Sequence, residues 1–253
     1  MTARAMAVAG NPSAQHGDGR AGNKLISDAR EAVGLAMGVC AQDVIFNGCG
    51  TEGDNTAVHS AVKAGCKRLL ISAMDHPATI LAAQTYSENY DVAVDIMPAD
   101  ANGVSDMGWL KDTLTNWDVS DGRPFISLVA ANSETGVIQP TEQATELVRE
   151  AGGLILIDAV QMLGKGPMIY LADYISVSAH KIGGPQGVGA LYVAPDAPYT
   201  SLLQGGGQER RRRAGTMNVA GIAGFGAAVT AMNGLKHTAA IRDAIETLSL
   251  IHI

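Results

Sequence analysis

The sequence predicts an α/β protein, a largely parallel sheet with helices on both faces, and three observations carry that prediction. Short apolar runs alternate with stretches of helical spacing along most of the chain, the pattern of repeated β-α units. Residues suited to cap a helix, Thr51 and Thr141, stand just ahead of two of the helical stretches. Polar or glycine residues directly follow five of the apolar runs, at the strand ends where such folds bind ligands.

Taken in order, Gly22 to Met37 carries Leu25, Ala29, Val33 and Ala36 at helical spacing, and Val44 to Phe46 is a short apolar strand. Glu52 to Ala64 reads as a helix opened by Thr51. Arg68 to Ser72 is a strand and Ala78 to Glu88 a helix. Val92 to Met97 alternates like a half-buried strand, whereas Phe125 to Ala131 reads as fully buried. Thr141 is the predicted N-cap of a helix over Glu142 to Glu150. Leu154 to Ile157 is a wholly apolar strand ending on Asp158. Tyr174 to Ser178 and Ala190 to Val193 are two more strands, and Ala220 to Met232 is a helix of small residues.

Composition bounds the function classes. A chain of 253 residues with 47% apolar and 17% charged residues has room for a sizeable core and does not read as disordered. The length fits one large α/β domain, or one with a small second domain. A net charge of -7 argues against nucleic acid as the main partner. The run Arg210 to Arg213 is the local exception and reads as a solvated or partner-facing loop. Cys40, Cys49 and Cys66 lack metal-ligand spacing, and their low, odd count suits a reducing compartment. No signal peptide or apolar run of membrane-spanning length is read, so a cytoplasmic protein is expected.

The polar strand ends are Gly50-Thr51, Asp75-His76, Asn132-Ser133-Glu134, Asp158 with Gln161, and Ser178 with His180-Lys181. Five in register predict one shared pocket. Lys181 follows a strand end and precedes Gly183-Gly184; partial burial there would favour the free amine that forms Schiff bases. Pyridoxal phosphate enzymes need such a lysine, together with a carboxylate on the pyridinium nitrogen, and Asp158 fits that need. Gly48-Cys49-Gly50-Thr51-Glu52 joins a strand to a helix, as a phosphate cradle or as a plain cap made by Thr51. Ser178 and His180 would add donors to the same phosphate, and His76 would stack on the ring, shuttle protons, or be structural.

These residues lie in stretches that together resemble a known family: NPSAQHGDGR from Asn11, FNGCGTEGDN from Phe46, Asp75-His76, ANSETGVIQP from Ala131, IDAVQMLGK from Ile157, SAHKIGGPQGVGALYV from Ser178 and GGGQERRRRAGTMN from Gly205. In this order, across Asn11 to Ala231, they resemble the group I cysteine desulfurases, pyridoxal 5'-phosphate enzymes of the class V aminotransferase superfamily. The resemblance implies a fold-type I large domain. It implies that Lys181 holds the cofactor covalently, Asp158 pairs with the ring nitrogen, Gln161 meets the ring hydroxyl and His76 stacks on the ring and helps move protons. Gly50, Thr51, Ser178 and His180 would hold the phosphate, and Thr216 would reach the phosphate of a neighbouring subunit in a homodimer. The implied reaction converts L-cysteine to L-alanine and leaves the sulfur as a persulfide on a cysteine. A sulfur-acceptor or scaffold protein would pass it to iron–sulfur cluster assembly or tRNA thiolation.

The chain departs from that pattern in three places. The family's sulfur-accepting cysteine and its carboxylate-binding arginine are expected in a C-terminal small domain, beyond the Gly215-Thr216 motif, and Cys40, Cys49 and Cys66 match other parts of the pattern. Ser133 stands where the family commonly has a second asparagine. The opening strand with its asparagine-alanine-threonine signature is not found before Asn11. The expectation is therefore an incomplete cofactor-binding large domain over residues 1–247, turning over cysteine poorly or not at all. Residues 248–253, LSLIHI, read as a non-native tail that breaks the preceding helical pattern and resembles the translation of a sequencing adapter. The alternatives are a class V aminotransferase or related lyase, and a noncatalytic relative keeping the fold for dimerisation or partner binding.

Overall fold

The computed structural model describes residues 2–8, 11–168, 171–232 and 238–250. In chain order the elements are α1 (Thr2–Met6), α2 (Gly17–Met37), β1 (Val44–Asn47), α3 (Gly50–Lys63), β2 (Arg68–Ser72), α4 (Pro77–Asn89), β3 (Ala93–Met97), α5 (Met107–Thr115), β4 (Phe125–Val129), α6 (Thr141–Glu150), β5 (Leu154–Asp158), β6 (Tyr174–Ser178), β7 (Gly189–Val193), α7 (Val219–Ala231) and α8 (Thr238–Leu250). The seven strands form one sheet in the order β1-β7-β6-β5-β4-β2-β3.

Alternation along the strands divides the core between the two faces. Phe46, Leu70, Ile126, Ile155, Ile175 and Ala190 pack with residues of α2, α5, α6 and α7. Ile45, Leu69, Phe125, Leu154, Tyr174 and Leu191 pack with α3 and α4 on the other face. The sheet is thus covered on both sides, as predicted. β3 is one of the two edge strands and is half-exposed, but its burial does not follow the alternation of its sequence, because Ile96 is exposed at the edge while Met97 is buried.

The largely parallel prediction holds for the four pairings from β3 through β6. It fails at the other edge, where β7 runs antiparallel to both β6 and β1. A parallel return needs a crossover helix, and the segment between β6 and β7 holds a 3-10 turn, Ala179–Ile182, and a glycine loop. Because β7 alone is reversed, β1, β2, β4, β5 and β6 all end at one edge of the sheet. That common edge brings five distant sequence segments together.

Several local expectations are corrected. α2 starts at Gly17, five residues before the predicted Gly22, because the His16 side chain caps it by accepting from the Gly19 N–H. α3 starts at Gly50, with Cys49 at the cap position and no side-chain cap, so Thr51 lies inside the helix and does not open it. Thr141 is likewise the first residue of α6, not its N-cap, and its carbonyl accepts from the Thr145 hydroxyl. β4 ends at Val129; Ala131 makes only an isolated bridge to Ile138. α5, capped by Asp106, was not expected. The helical pattern of α8 continues through Leu250, so Leu248 to Leu250 do not break it, while residues 251–253 of the expected tail lie outside the described residues.

β7 begins with a glycine for a steric reason. A Cβ on Gly189 would lie 2.6 Å from Asn47 Oδ1, 2.7 Å from the Cys49 carbonyl carbon and 2.8 Å from the Val177 oxygen. Gly189→Ala should therefore overpack the junction of β1, β6 and the β1–α3 turn and destabilise the protein by about 1–3 kcal/mol. Denaturant unfolding checks this as a lower midpoint at an unchanged slope.

Candidate active site

The shared strand edge opens into a cavity of about 630 Å³. Eight of the nine residues predicted for the site line it: Gly50, Thr51, His76, Asp158, Gln161, Ser178, His180 and Lys181. The ninth, Thr216, lies outside it, exposed in the loop before α7. The volume falls in the range of small-molecule sites.

Each side chain is delivered by a strand end or the turn after it. Asp158, the last residue of β5, is 5% exposed, and its Oδ1 accepts from the Val160 N–H at 2.9 Å. Burial pushes its carboxyl up, against the Val160 hydrogen bond and the charges of His76 and Lys181, which pull it down. A buried carboxylate of this kind favours a cationic partner. His76 is the N-cap of α4; its Nδ1 accepts from the Ala78 N–H at 3.1 Å. That fixes Nε2 as the proton-bearing atom of the neutral ring. Ser178 Oγ and His180 Nδ1 are 2.9 Å apart. Gln161 Oε1 accepts from Lys165 Nζ at 2.6 Å, a contact the sequence reading did not anticipate. Lys181 is exposed at the cavity rim rather than partly buried, because the 3-10 turn Ala179–Ile182 carries it outward from the end of β6.

The β1–α3 turn presents an uncapped helix start to the cavity. The first N–H groups of a helix have no intrahelical partner, and α3 has no side-chain cap to take their place. Cys49, Gly50 and Thr51 line the cavity at that point. Gly50 is required there: a Cβ would stand 2.7 Å from Val160 Cγ2. An uncapped helix start, two further donors on Ser178 and His180, a buried carboxylate and a rim lysine fit the phosphate, ring nitrogen and carbonyl of pyridoxal 5'-phosphate.

Other groups in the wall were missed or left open by sequence. Asp75 is buried; its Oδ1 accepts from the Val129 N–H at 2.6 Å, tying the β2–α4 turn to the end of β4. Burial pushes its carboxyl up to about 7. Asp54, one turn into α3, was not singled out, since an Asp inside a helical pattern gives no signal of what lies beside it. Asn132 is occupied structurally: its Nδ2 donates to the Met74 carbonyl and its Oδ1 accepts from the N–H groups of Glu134 and Thr135. Ser133 Oγ donates to Glu134 at the surface.

The arginine run divides in two. Arg213 pairs with Glu52, Nε to Oε1 at 2.8 Å, and Glu52 Oε2 in turn accepts from the Gly48 N–H at 2.7 Å. Arg212 donates to the Gln42 carbonyl, while Arg210 and Arg211 are exposed. The run is thus half surface and half anchor, not a uniformly solvated loop.

The comparisons agree with this geometry. The aminotransferase class-V family model matches residues 2–251. A cysteine desulfurase of Cereibacter sphaeroides is 38% identical over 94% of this chain and 62% of its own length. The cysteine desulfurase NifS of Azotobacter vinelandii is 36% identical over 94% of the chain and 60% of its length. A solved NifS-like protein superposes with a TM-score of 0.81 at 36% identity, over 88% of this chain and 61% of that one. The chain thus spans roughly three fifths of the length of these relatives. No helix among the described residues is long and apolar enough to cross a membrane. Matched by the family model across nearly its whole length, and with its lysine, carboxylate and helix start gathered at one strand edge, the chain belongs to the aminotransferase class-V family.

Proposed function

We propose that this chain is the cofactor-binding large domain, over residues 1–247, of a pyridoxal 5'-phosphate-dependent cysteine desulfurase acting on L-cysteine. The convergence of Lys181, Asp158 and His76 on one cavity carries the reading. Lys181 would hold the cofactor through its amine, with Asp158 against the ring nitrogen, Gln161 at the ring hydroxyl and His76 over the ring. Gly50, Thr51, Ser178 and His180 would hold the phosphate. Thr216, exposed in its loop, would reach the phosphate of the partner in a homodimer.

When bound, the cofactor supplies an electron sink for charge developing at the substrate Cα. Lys181 Nζ, at the rim, would take and return the proton there. His76 carries a second movable proton at Nε2, since its Nδ1 is occupied by the Ala78 N–H. The Asp158 charge, shielded from water, would keep the ring nitrogen protonated.

The sulfur step is assigned to none of the three cysteines. Cys66 is buried and its thiol is pushed up to about 11 by burial, which removes the thiolate. Cys49 lies in the helix-start cradle. Cys40 does not line the cavity. Sulfur would pass to an acceptor or scaffold protein for iron–sulfur cluster assembly or tRNA thiolation, in the cytoplasm.

Absorbance titration tests the reading. Pyridoxal 5'-phosphate should give a visible band with this chain, and L-cysteine should shift that band with alanine release near the level of a denatured control. Steady alanine and sulfide release would overturn the assignment of the sulfur step. Amino-group exchange with a 2-oxo acid, without sulfide, would favour an aminotransferase, the reading that the breadth of the matched family supports. No cofactor uptake would leave the noncatalytic relative.

A further inference from the structure

Behind Asp158 the cavity wall holds a carboxylate that the roles above leave unused. Asp54 is 1% exposed and lines the cavity, and its Oδ1 is sealed from solvent without a hydrogen-bond partner. Around it stand Asp158 from the end of β5, Asp75 from the β2–α4 turn, Cys49 from the start of α3 and Ser176 from β6. No cation is among them. His76 and Lys181 act on Asp158 instead, and the Val160 N–H adds a hydrogen bond to it.

The nearest hydroxyl, that of Ser176, is engaged elsewhere. Its hydroxyl proton is already committed to the Gly50 carbonyl at 3.1 Å. A Ser176 proton turned toward Asp54 instead would favour the ionised carboxyl, but that pull ranks below burial and the Asp158 charge, both of which hold the proton on. The space is closed on this side: a Cβ on Gly53 would lie 2.7 Å from Ser176 Oγ and 3.1 Å from Asn47 Nδ2. Asn47 is itself 8% exposed, with both amide atoms sealed and unpartnered.

We propose that Asp54 is a positioning residue of this site, a buried neutral acid whose retained proton keeps the negative charge of the wall on Asp158, facing His76 and Lys181. The proposal deepens the cofactor reading and rests on it for what Asp158 contacts. Two carboxylates in one buried site do not both ionise cheaply, and the one with the poorer partners keeps the proton. Burial first, and the Asp158 charge second, push the Asp54 carboxyl well above the ordinary carboxylate value.

The test uses cofactor-free protein, so its result stands apart from whether the cofactor binds. Infrared spectra at pH 8 should show the C=O band of a buried protonated carboxyl. That band should vanish in Asp54→Asn and persist in Asp158→Asn and Asp75→Asn. Its survival in Asp54→Asn, or its loss in Asp158→Asn instead, would overturn the proposal.

Stability supplies the second readout. A group whose folded value is raised keeps its proton in the folded state while the unfolded chain releases it. The wild type therefore loses stability as pH rises above the ordinary carboxylate value, toward the raised one. Asp54→Asn should remove that loss, so its unfolding midpoint relative to wild type rises between pH 4 and pH 8. A purely steric role gives a difference independent of pH, and that outcome too would sink the idea.

Discussion

Lys181→Ala is expected to abolish covalent capture of pyridoxal 5'-phosphate while leaving the fold intact. After borohydride reduction and denaturation, the wild-type chain should carry the cofactor's mass and the variant should not. Affinity should fall at least ~10-fold, equivalent to about 1.4 kcal/mol, since the covalent link is lost while the phosphate and ring contacts remain. Stability should move by no more than about 0.5 kcal/mol, because Lys181 is an exposed residue in a short turn. The competing amine is Lys165, whose Nζ donates to Gln161 beside the same cavity. Burial, and next the charge of Lys181, push the Lys165 amine down, so chemistry alone does not exclude it. Position separates the two: Lys181 lines the cavity and Lys165 does not. Lys165→Ala should keep the adduct. An adduct that follows Lys165 instead would displace Lys181 from its role.

The site was legible in the sequence because its residues sit at strand ends, where each follows an apolar run that is itself easy to read. Asp158 after Leu154–Ile157 is the clearest case, and once β1, β2, β4, β5 and β6 share a direction their ends must meet. The reversal of β7 was less legible. It follows from the lack of a crossover helix between Ser178 and Gly189, a negative signal that β-α counting passes over. The two misplaced caps have one cause. Thr51 and Thr141 are good cap formers by type, but Gly50 and Pro140 ahead of them let each helix begin earlier. The burial of Asp54 and the pairing of Gln161 with Lys165 depend on what other elements bring alongside. No single window of sequence shows either. Thr216 remains a proposal, because its role was carried by the resemblance alone and it lies exposed in its loop, outside the cavity.

Arg30→Ala is expected to be the most destabilising single change, by about 3–5 kcal/mol, because it strips the partner from a buried charge. The Glu209 side chain is 1% exposed and that of Arg30 13%. The Glu209 carboxylate accepts from Arg30 Nη1 at 2.8 Å, from Arg30 Nη2 at 2.5 Å and from the Phe46 N–H at 3.0 Å. The Arg30 guanidinium also lies 4.8 Å from the centroid of the Phe46 ring. The pair therefore ties α2, β1 and the loop before α7 at one point. That loop is strained: Glu209, Arg210 and Arg211 have φ of 46°, 56° and 67°, a left-handed run that costs about 1–2 kcal/mol per residue. Arg30 removal leaves both the strain and an unpaired carboxylate. Arg213→Ala breaks the more open pair with Glu52, whose side chains are 24% and 17% exposed, and should cost only about 1 kcal/mol. Urea unfolding of the two variants decides the matter. Equal, small losses would mean that water reaches Glu209 and that the loop is not anchored there. The loop leads to Thr216 within five residues of Arg211, so a loosened anchor should also weaken any homodimer that Thr216 completes. Sedimentation of Arg30→Ala against Arg213→Ala, at a denaturant concentration where both stay folded, separates that effect from the loss of stability.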